Sequence, residues 1–309
     1  MTHRIFAIVA LVVLAALPPA LLASDQDFYI SFASRIMIYG IAATSLNLIL
    51  GYGGMISFGH AAFLGAGAYV VGIMMAEGVS SAWIAWPAAV VLSGLFALVI
   101  GALSLRTRGV YFIMITLAFA QMMYYVFISL KEYGGEDGLN LPTRSVVGLG
   151  LNLKDDTTFY YVVLALFAAT LFGLHRLVNS RFGRVIAGIR ENETRMEAIG
   201  FPTYKYKLAC FVIAGAVCGL AGALISNQAN FVSPKLIEWT QSGSLMIMVI
   251  LGGIGQLYGG AVGAAVLLIL EEVLSAYTIY WQLPVGIALL AVVLFAPRGI
   301  AGAFTRKPK

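Results

Sequence analysis

Charge is scarce in this chain. Of 309 residues only 11% are Asp, Glu, Lys or Arg, and 61% are hydrophobic, against about 25% charged and about 45–50% apolar residues in an ordinary soluble domain. A water-soluble fold of this length has nowhere to hide so much apolar surface, so lipid is the expected solvent. Cysteine is nearly missing too. Cys210 and Cys218 are the only two; eight residues of helix put them about 12 Å apart, beyond the roughly 7 Å between Cα atoms that a disulfide spans. No Cys/His cluster has metal-ligand spacing, so no metal centre is expected. The chain has no Gly-Lys dipeptide, which removes the Walker A loop that cradles phosphates. Gly253-Ile254-Gly255 lacks a third glycine at dinucleotide spacing and follows no strand. Ser57 and His60 have no acidic group nearby to orient them, so an intramembrane hydrolase is not indicated and no catalytic residue is named.

Long apolar runs are what the chain has instead. About ten are long enough, or nearly so, to cross a bilayer: Ile5–Leu22, Phe32–Leu50, His60–Met75, Trp83–Leu103, Val110–Leu130, Phe159–Val178, Leu208–Ser226, Gly243–Leu257, Gly260–Tyr277 and Leu283–Ala296. The expected fold is an all-α integral membrane protein of about ten transmembrane helices, one domain over residues 1–309. The third, eighth and tenth runs are short, which leaves broken or re-entrant segments open there. Basic residues give the orientation. With the N-terminus inside and the sides alternating, 14 Lys and Arg fall inside and 5 outside, the positive-inside bias. Both ends then lie in the cytoplasm. The excess of five positive charges orients the chain, and no nucleic-acid partner is needed to explain it.

Residues 1–23 also have the outline of a signal peptide, with Arg4, an apolar run and Ala-Leu-Leu-Ala-Ser. Leu21 stands where a cleavage site wants a small side chain, so an uncleaved first span is expected. Two polar connections stand out. An outer one, about 131–158, holds Gly134-Gly135-Glu136-Asp137-Gly138 and Asp155-Asp156. An inner one, about 179–207, is strongly charged and reads as helical.

In that inner loop, Ile189 to Pro202 reads as one short amphipathic helix. Glu191 and Arg195 are four apart in the favourable order, and Ile189, Met196 and Ile199 fall on an apolar side. Gly200 suits a left-handed cap, Pro202 forbids continuation, and Thr203 can cap the next span. Such a helix either docks into a groove on a partner or lies on the lipid headgroups.

Within the spans, Ser57 and His60 are three apart near an inner end, and Thr116 and Gln121 fall mid-bilayer, where polar groups need partners. Each either lines a translocation pathway or makes structural hydrogen bonds. Glu271 and Glu272 diverge by about 100° around the ninth span, so one is expected to reach outer water or a protein donor. Gly255, Gly259 and Gly263, at four-residue spacing, suit a close helix-packing face. Gly51-Tyr52-Gly53-Gly54 and Gly252-Gly253-Ile254-Gly255 each join two spans on the inner side, which suggests an internal repeat.

Several of these segments carry a family likeness. Glu197-Ala198-Ile199-Gly200, within Arg190 to Lys207, resembles the Glu-Ala-Ala…Gly coupling segment of ABC importer permeases. Gly51-Tyr52-Gly53-Gly54-Met55-Ile56-Ser57-Phe58-Gly59-His60, Leu251-Gly252-Gly253-Ile254-Gly255 and the ending Leu283-Pro284-Val285-Gly286 to Pro297-Arg298-Gly299-Ile300 resemble the branched-chain amino-acid permeases. The likeness covers about residues 30–302. It implies a permease subunit of an ATP-driven importer in the bacterial inner membrane, for branched-chain amino acids or a related small solute. It also implies coupling to an ATPase through Arg190, Glu191, Glu193, Arg195, Glu197, Ala198 and Gly200. The implied partners are a second permease, two ATP-binding subunits and a periplasmic solute-binding protein. ATP and Mg²⁺ would sit in those ATPases, and this chain would hold no cofactor. A stand-alone secondary transporter or channel is the alternative; it would need intramembrane charges and have no use for a docking helix.

Overall fold

The structure, a computed structural model, describes residues 2–22, 27–148, 152–296 and 299–303. The candidate cleavage site after Ala23 and the basic residues beyond Ala303 lie outside them. The chain is helical: α1 (Thr2–Leu22), α2 (Asp27–Asn47), α3 (His60–Ala76), α4 (Ala82–Ser104), α5 (Val110–Ser129), α6 (Asp156–Asn179), α7 (Arg181–Glu191), α8 (Glu193–Ala198), α9 (Thr203–Ala229), α10 (Trp239–Gly252), α11 (Gly259–Tyr277), α12 (Gln282–Phe295) and α13 (Gly299–Ala303). Among the described residues, six segments are long and apolar enough to cross a membrane: α2 with its extension, α4, α5, α6, α9 and α11. Helices α3, α10 and α12 are apolar but shorter.

Small residues let these helices touch. A Cβ on Gly67 would overlap Gly219, and one on Gly222 would overlap the Leu64 carbonyl, so α3 and α9 meet backbone to backbone. Gly215 of α9 abuts Ala97 of α4, and Gly260 of α11 leaves only 2.6 Å to Thr44 N of α2. This is the packing expected where lipid provides no hydrophobic drive between helices. Helix α2 is central, surrounded by α6, α9, α10 and α11, and its side chains are mostly buried. Large apolar side chains are left exposed on most of the outer helices, such as Val99 of α4, Met114 of α5, Phe172 of α6, Val273 of α11 and Leu290 of α12.

Helix α10 starts partway along α3 rather than level with its C-terminal end. Between α9 and α10 the chain descends along α3, with Val232 beside Gly72, Ile237 against Gly65 and Ser242 Oγ accepting from Ala61 N at 2.9 Å. These contacts follow α3 from its C-terminal part to its first turn. The eighth apolar run is therefore a short helix preceded by irregular backbone.

Two ends can be distinguished. At the cap end, β1 (Leu139–Asn140) pairs antiparallel with β2 (Phe231–Val232), and Ser81 bridges Val146. Arg144, only 9% exposed, holds this connection together. Its guanidinium donates to Asn227 O (3.1 Å), Leu153 O (2.9 Å) and Asp156 Oδ1 (2.5 Å), and lies 4.7 Å from the Phe159 ring centroid. Asn227 Oδ1 accepts from Ser145 N at 2.6 Å, and Tyr133 donates to Glu77 at 2.9 Å. The polar connection of 131–158 is thus a folded cap with a buried arginine at its centre.

Candidate coupling site and membrane-buried polar groups

At the other end, the inner loop folds as a hairpin of two helices rather than one. Ser180 caps α7, its Oγ accepting from Gly183 N at 3.4 Å. Asn192 then leaves helical backbone (φ −158°, ψ 98°) and its Oδ1 caps α8 by accepting from Arg195 N at 2.9 Å. The single helix expected over Arg190–Pro202 is corrected on this point: an Asn side chain that mimics a backbone acceptor ends one helix and starts another. Glu191 and Arg195 fall on different helices, and no ion pair joins them among the described residues. Gly200 does take the left-handed conformation (φ 91°). Thr203 is the first residue of α9 rather than its cap, and its hydroxyl donates to Glu197 Oε1 at 2.9 Å.

Charge holds the hairpin to the spans. Buried Lys207 pairs with Glu193, and exposed Arg108 reaches Glu193 at 3.7 Å and Glu197 at 3.8 Å. Phe182 stacks on Tyr206 with centroids 5.6 Å apart. Ile186 and Ile189 are buried, and Met196 lies over Gly188. Ile199 separates from Ile189 and Met196: it is 62% exposed and, with exposed Ala198, forms an uncovered apolar tip.

Arg190 points away from that tip. Its Nη1 donates to the Gly51 carbonyl, and its stem lies 3.0 Å from where a Cβ on Gly54 would sit. Gly51 lies in a π-helical extension of α2, Leu48–Tyr52, which closes with Gly53 N donating to Leu48 O at 3.1 Å. The α10–α11 turn meets it there. Asn47 Oδ1 accepts from Gly255 N at 2.9 Å, and Asn47 Nδ2 donates to Gln256 O at 2.6 Å. A Cβ on Gly51 would overlap both Asn47 Oδ1 and Gly255 N. Gly299, at the start of α13, packs on Gly253. The two glycine clusters singled out in the sequence are therefore one node. Nothing in the sequence marked Asn47, because an Asn at the end of an apolar run reads as an ordinary helix terminus.

Of the proposed glycine face, Gly259 and Gly263 lie on α11, where Cβ atoms would overlap the Gly253 and Met248 carbonyls. Gly255 does not share that face. It sits in the preceding turn with φ 77°, a conformation glycine adopts without strain. Gly252 of α10 completes the close approach in its place.

Ser57 and His60 do not share a helical face, because α3 begins only at His60. Ser57 Oγ accepts from Gly59 N at 3.2 Å, while His60 Nε2 meets Ser45 Oγ at 2.8 Å; both side chains are fully buried within this chain. Thr116 returns its hydroxyl to Ile113 O at 2.9 Å, and its own carbonyl lies 2.7 Å from where a Cβ on Gly59 would be. The α2–α3 turn thus rests on α5 at Thr116. Gln121, one turn further along α5, keeps a buried Oε1 with no hydrogen-bond partner among the described residues.

Comparison with known proteins places this arrangement. The family model for the branched-chain amino acid transport system permease component matches residues 28–296. The chain is 27% identical to the Escherichia coli high-affinity branched-chain amino acid transport system permease protein LivM, over 95% of this chain and 74% of that protein. It is 26% identical to E. coli LivH, named as another permease protein of a high-affinity branched-chain amino acid transport system, over 85% of this chain and 91% of LivH. A xylose transport system permease protein, XylH of Haemophilus influenzae, is 28% identical over 48% of this chain and 42% of its own length. No solved structure matches. With the family model spanning all but the ends, this chain belongs to the branched-chain amino acid transport system permease family.

Proposed function

We propose that this chain is the membrane-spanning subunit of an ATP-driven importer for branched-chain amino acids or a related small amphipathic solute. It works with a second permease, two cytoplasmic ATPases and a periplasmic binding protein. The relatives named as LivM and LivH are both permease proteins of such systems, which favours a distinct paralogue as the second permease. ATP and Mg²⁺ bind in the ATPases, and hydrolysis is their chemistry.

The observation that carries this reading is the α7–α8 hairpin. An apolar tip, Ala198 and Ile199, is exposed while the helices behind it are braced by Lys207–Glu193 and by aromatic packing. A surface of this kind, apolar at the tip and fixed at the base, suits a groove on a cytoplasmic ATPase. Movement of the tip reaches the spans through Arg190, which ties α7 to the junction of the α2 extension and the α10–α11 turn. ATP-driven closure of the partners then shifts the balance between outward- and inward-open arrangements.

Ten crossings with both ends inside fit the contacts. Connections assigned to one side touch one another: 131–146 meets the α3–α4 and α9–α10 connections, whereas the α2–α3 and α10–α11 turns meet each other and α7. The meeting of the two glycine turns, each linking one apolar helix to the next, also favours an internal repeat. Ser57 and His60 at the α2–α3 turn, with Thr116 and Gln121 on α5, remain the pathway-side candidates, since the turn and α5 move together.

The test is reconstitution in the inner-membrane topology described. The purified chain alone should hydrolyse no ATP and move no solute, and uptake should appear once ATPases, second permease and binding protein are added with ATP inside. Uptake by the chain alone without ATP would overturn the reading in favour of a secondary transporter.

A further inference from the structure

Arg35 and Glu271 are ionisable residues at membrane depth, and the structure gives each a neighbour across the same helix contact. Exposed aromatic residues mark the cap end of both helices, Phe28 and Tyr29 on α2 and Tyr277 and Tyr280 after α11. Aromatic belts sit at headgroup level. Arg35 lies six residues past Tyr29 and Glu271 six before Tyr277, so each is about 9 Å inside the belt at 1.5 Å per residue. Helices α2 and α11 pack together at Gly260, and Glu271 is within electrostatic range of both Arg35 and Tyr39.

These charges do not cancel one another directly. No ion pair within 4.0 Å joins Arg35 to Glu271 among the described residues. The Arg35 guanidinium stays beside Tyr39, 5.8 Å from its ring centroid, instead of stretching to the headgroups. Gln241, in the first turn of the short helix α10, donates to the Tyr39 hydroxyl at 3.0 Å and closes the floor of the cluster. Arg35 is exposed, and Glu271 is half-buried. Charges left open at this depth are costly and mark solute pathways or protein contacts. Opposite signs on adjoining helices, kept apart over a polar floor, suit a ligand that itself carries both signs.

We propose that Arg35, Tyr39, Gln241 and Glu271 form a subsite for a zwitterionic amino acid in the cap-end half of the membrane, with Arg35 taking the carboxylate and Glu271 the ammonium. This rests on the importer reading. A contact with the second permease would use the same charges, but it would not require a positive and a negative group of one chain to stand side by side.

The experiment uses the complete importer in proteoliposomes with ATP inside and leucine as probe. It adds saturation-transfer NMR of leucine, N-acetyl-leucine and leucinamide on the complex without its binding protein. Arg35→Gln and Glu271→Gln should each lower leucine uptake at least tenfold, the loss expected for one charge-assisted hydrogen bond. Both should also abolish leucine saturation transfer, while Arg35→Lys retains it. Glu272 is half-buried like Glu271 but turned about 100° from it, and Glu272→Gln leaves uptake within about twofold. N-acetyl-leucine and leucinamide, each lacking one charge, should give no transfer to the wild type. Loss of the second permease on co-purification, with leucine transfer unchanged, would make the cluster an interface and overturn the subsite. Unchanged uptake and transfer in both Gln variants would overturn it too. Either result leaves the importer reading intact so long as the wild type takes up leucine with ATP; failure of that control rejects the importer reading itself.

Discussion

The two ends of this molecule solve the same problem in opposite ways. The cap end is tied by a buried arginine whose donors meet two carbonyls and a carboxylate, by a short strand pair, and by Asn227 reaching Ser145. The hairpin end is tied by one mostly buried ion pair, Lys207–Glu193, by an arginine to one carbonyl, by ion pairs of exposed Arg108, and by a node of glycine turns around Asn47. A buried group bonded to several elements at once resists rearrangement, whereas solvent-screened pairs and single bonds exchange at little cost. The contrast assigns stability to the cap and movement to the hairpin.

The contrast can be broken first at its shared foundation. Gly263→Ala would drive a Cβ into the Met248 carbonyl, and backbone cannot swing away as a side chain does. Overpacking costs about 1–3 kcal/mol and more where backbone must part. The variant should fail to accumulate as folded permease, read from membrane yield and size-exclusion profile. At the cap, Arg144→Met leaves three acceptors behind, one of them the half-exposed Asp156. A loss near the lower end of the 3–5 kcal/mol found for broken buried pairs, about 3 kcal/mol, is expected as a fall in melting temperature in detergent. Asn47→Ala removes two hydrogen bonds of a buried side chain at the node and should cost about 2 kcal/mol by the same measurement. The smallest change in stability belongs to Glu197→Ala, whose pairs are largely exposed. Under about 1 kcal/mol is expected, yet ATPase co-purification should weaken. Ala198→Trp at the exposed tip should weaken it further with no stability change.

These outcomes bear on how much the sequence revealed. Every apolar run named in it overlaps a helix, although Gly243–Leu257 runs on into the α10–α11 turn, and the charged inner connection and the polar outer one are where folded elements appear. Hydropathy and charge placement are local sums, so they survive any detail of packing. What stayed hidden depends on neighbours far away in sequence. Arg190 read as one more charge on a docking helix, but its partner is a carbonyl 139 residues away. Asn192 read as a polar helical residue, and its capping geometry splits the helix. Ile199 shares an apolar side with Ile189 and Met196 on an ideal single helix, yet in the structure Ile189 is buried and Ile199 exposed. Gly255 kept the spacing of a packing face but serves a turn. Arg144 gave no signal at all, since its three acceptors come from separate elements.

The central claim is that the hairpin moves the node through Arg190. It is tested most directly by Arg190→Ala in the complete importer, measuring solute taken up per ATP hydrolysed. The ATPases should still co-purify and hydrolyse ATP, because the exposed tip is intact, while uptake per ATP falls about tenfold, as for one lost charge-assisted bond. Uptake per ATP equal to that of the wild type would contradict the account.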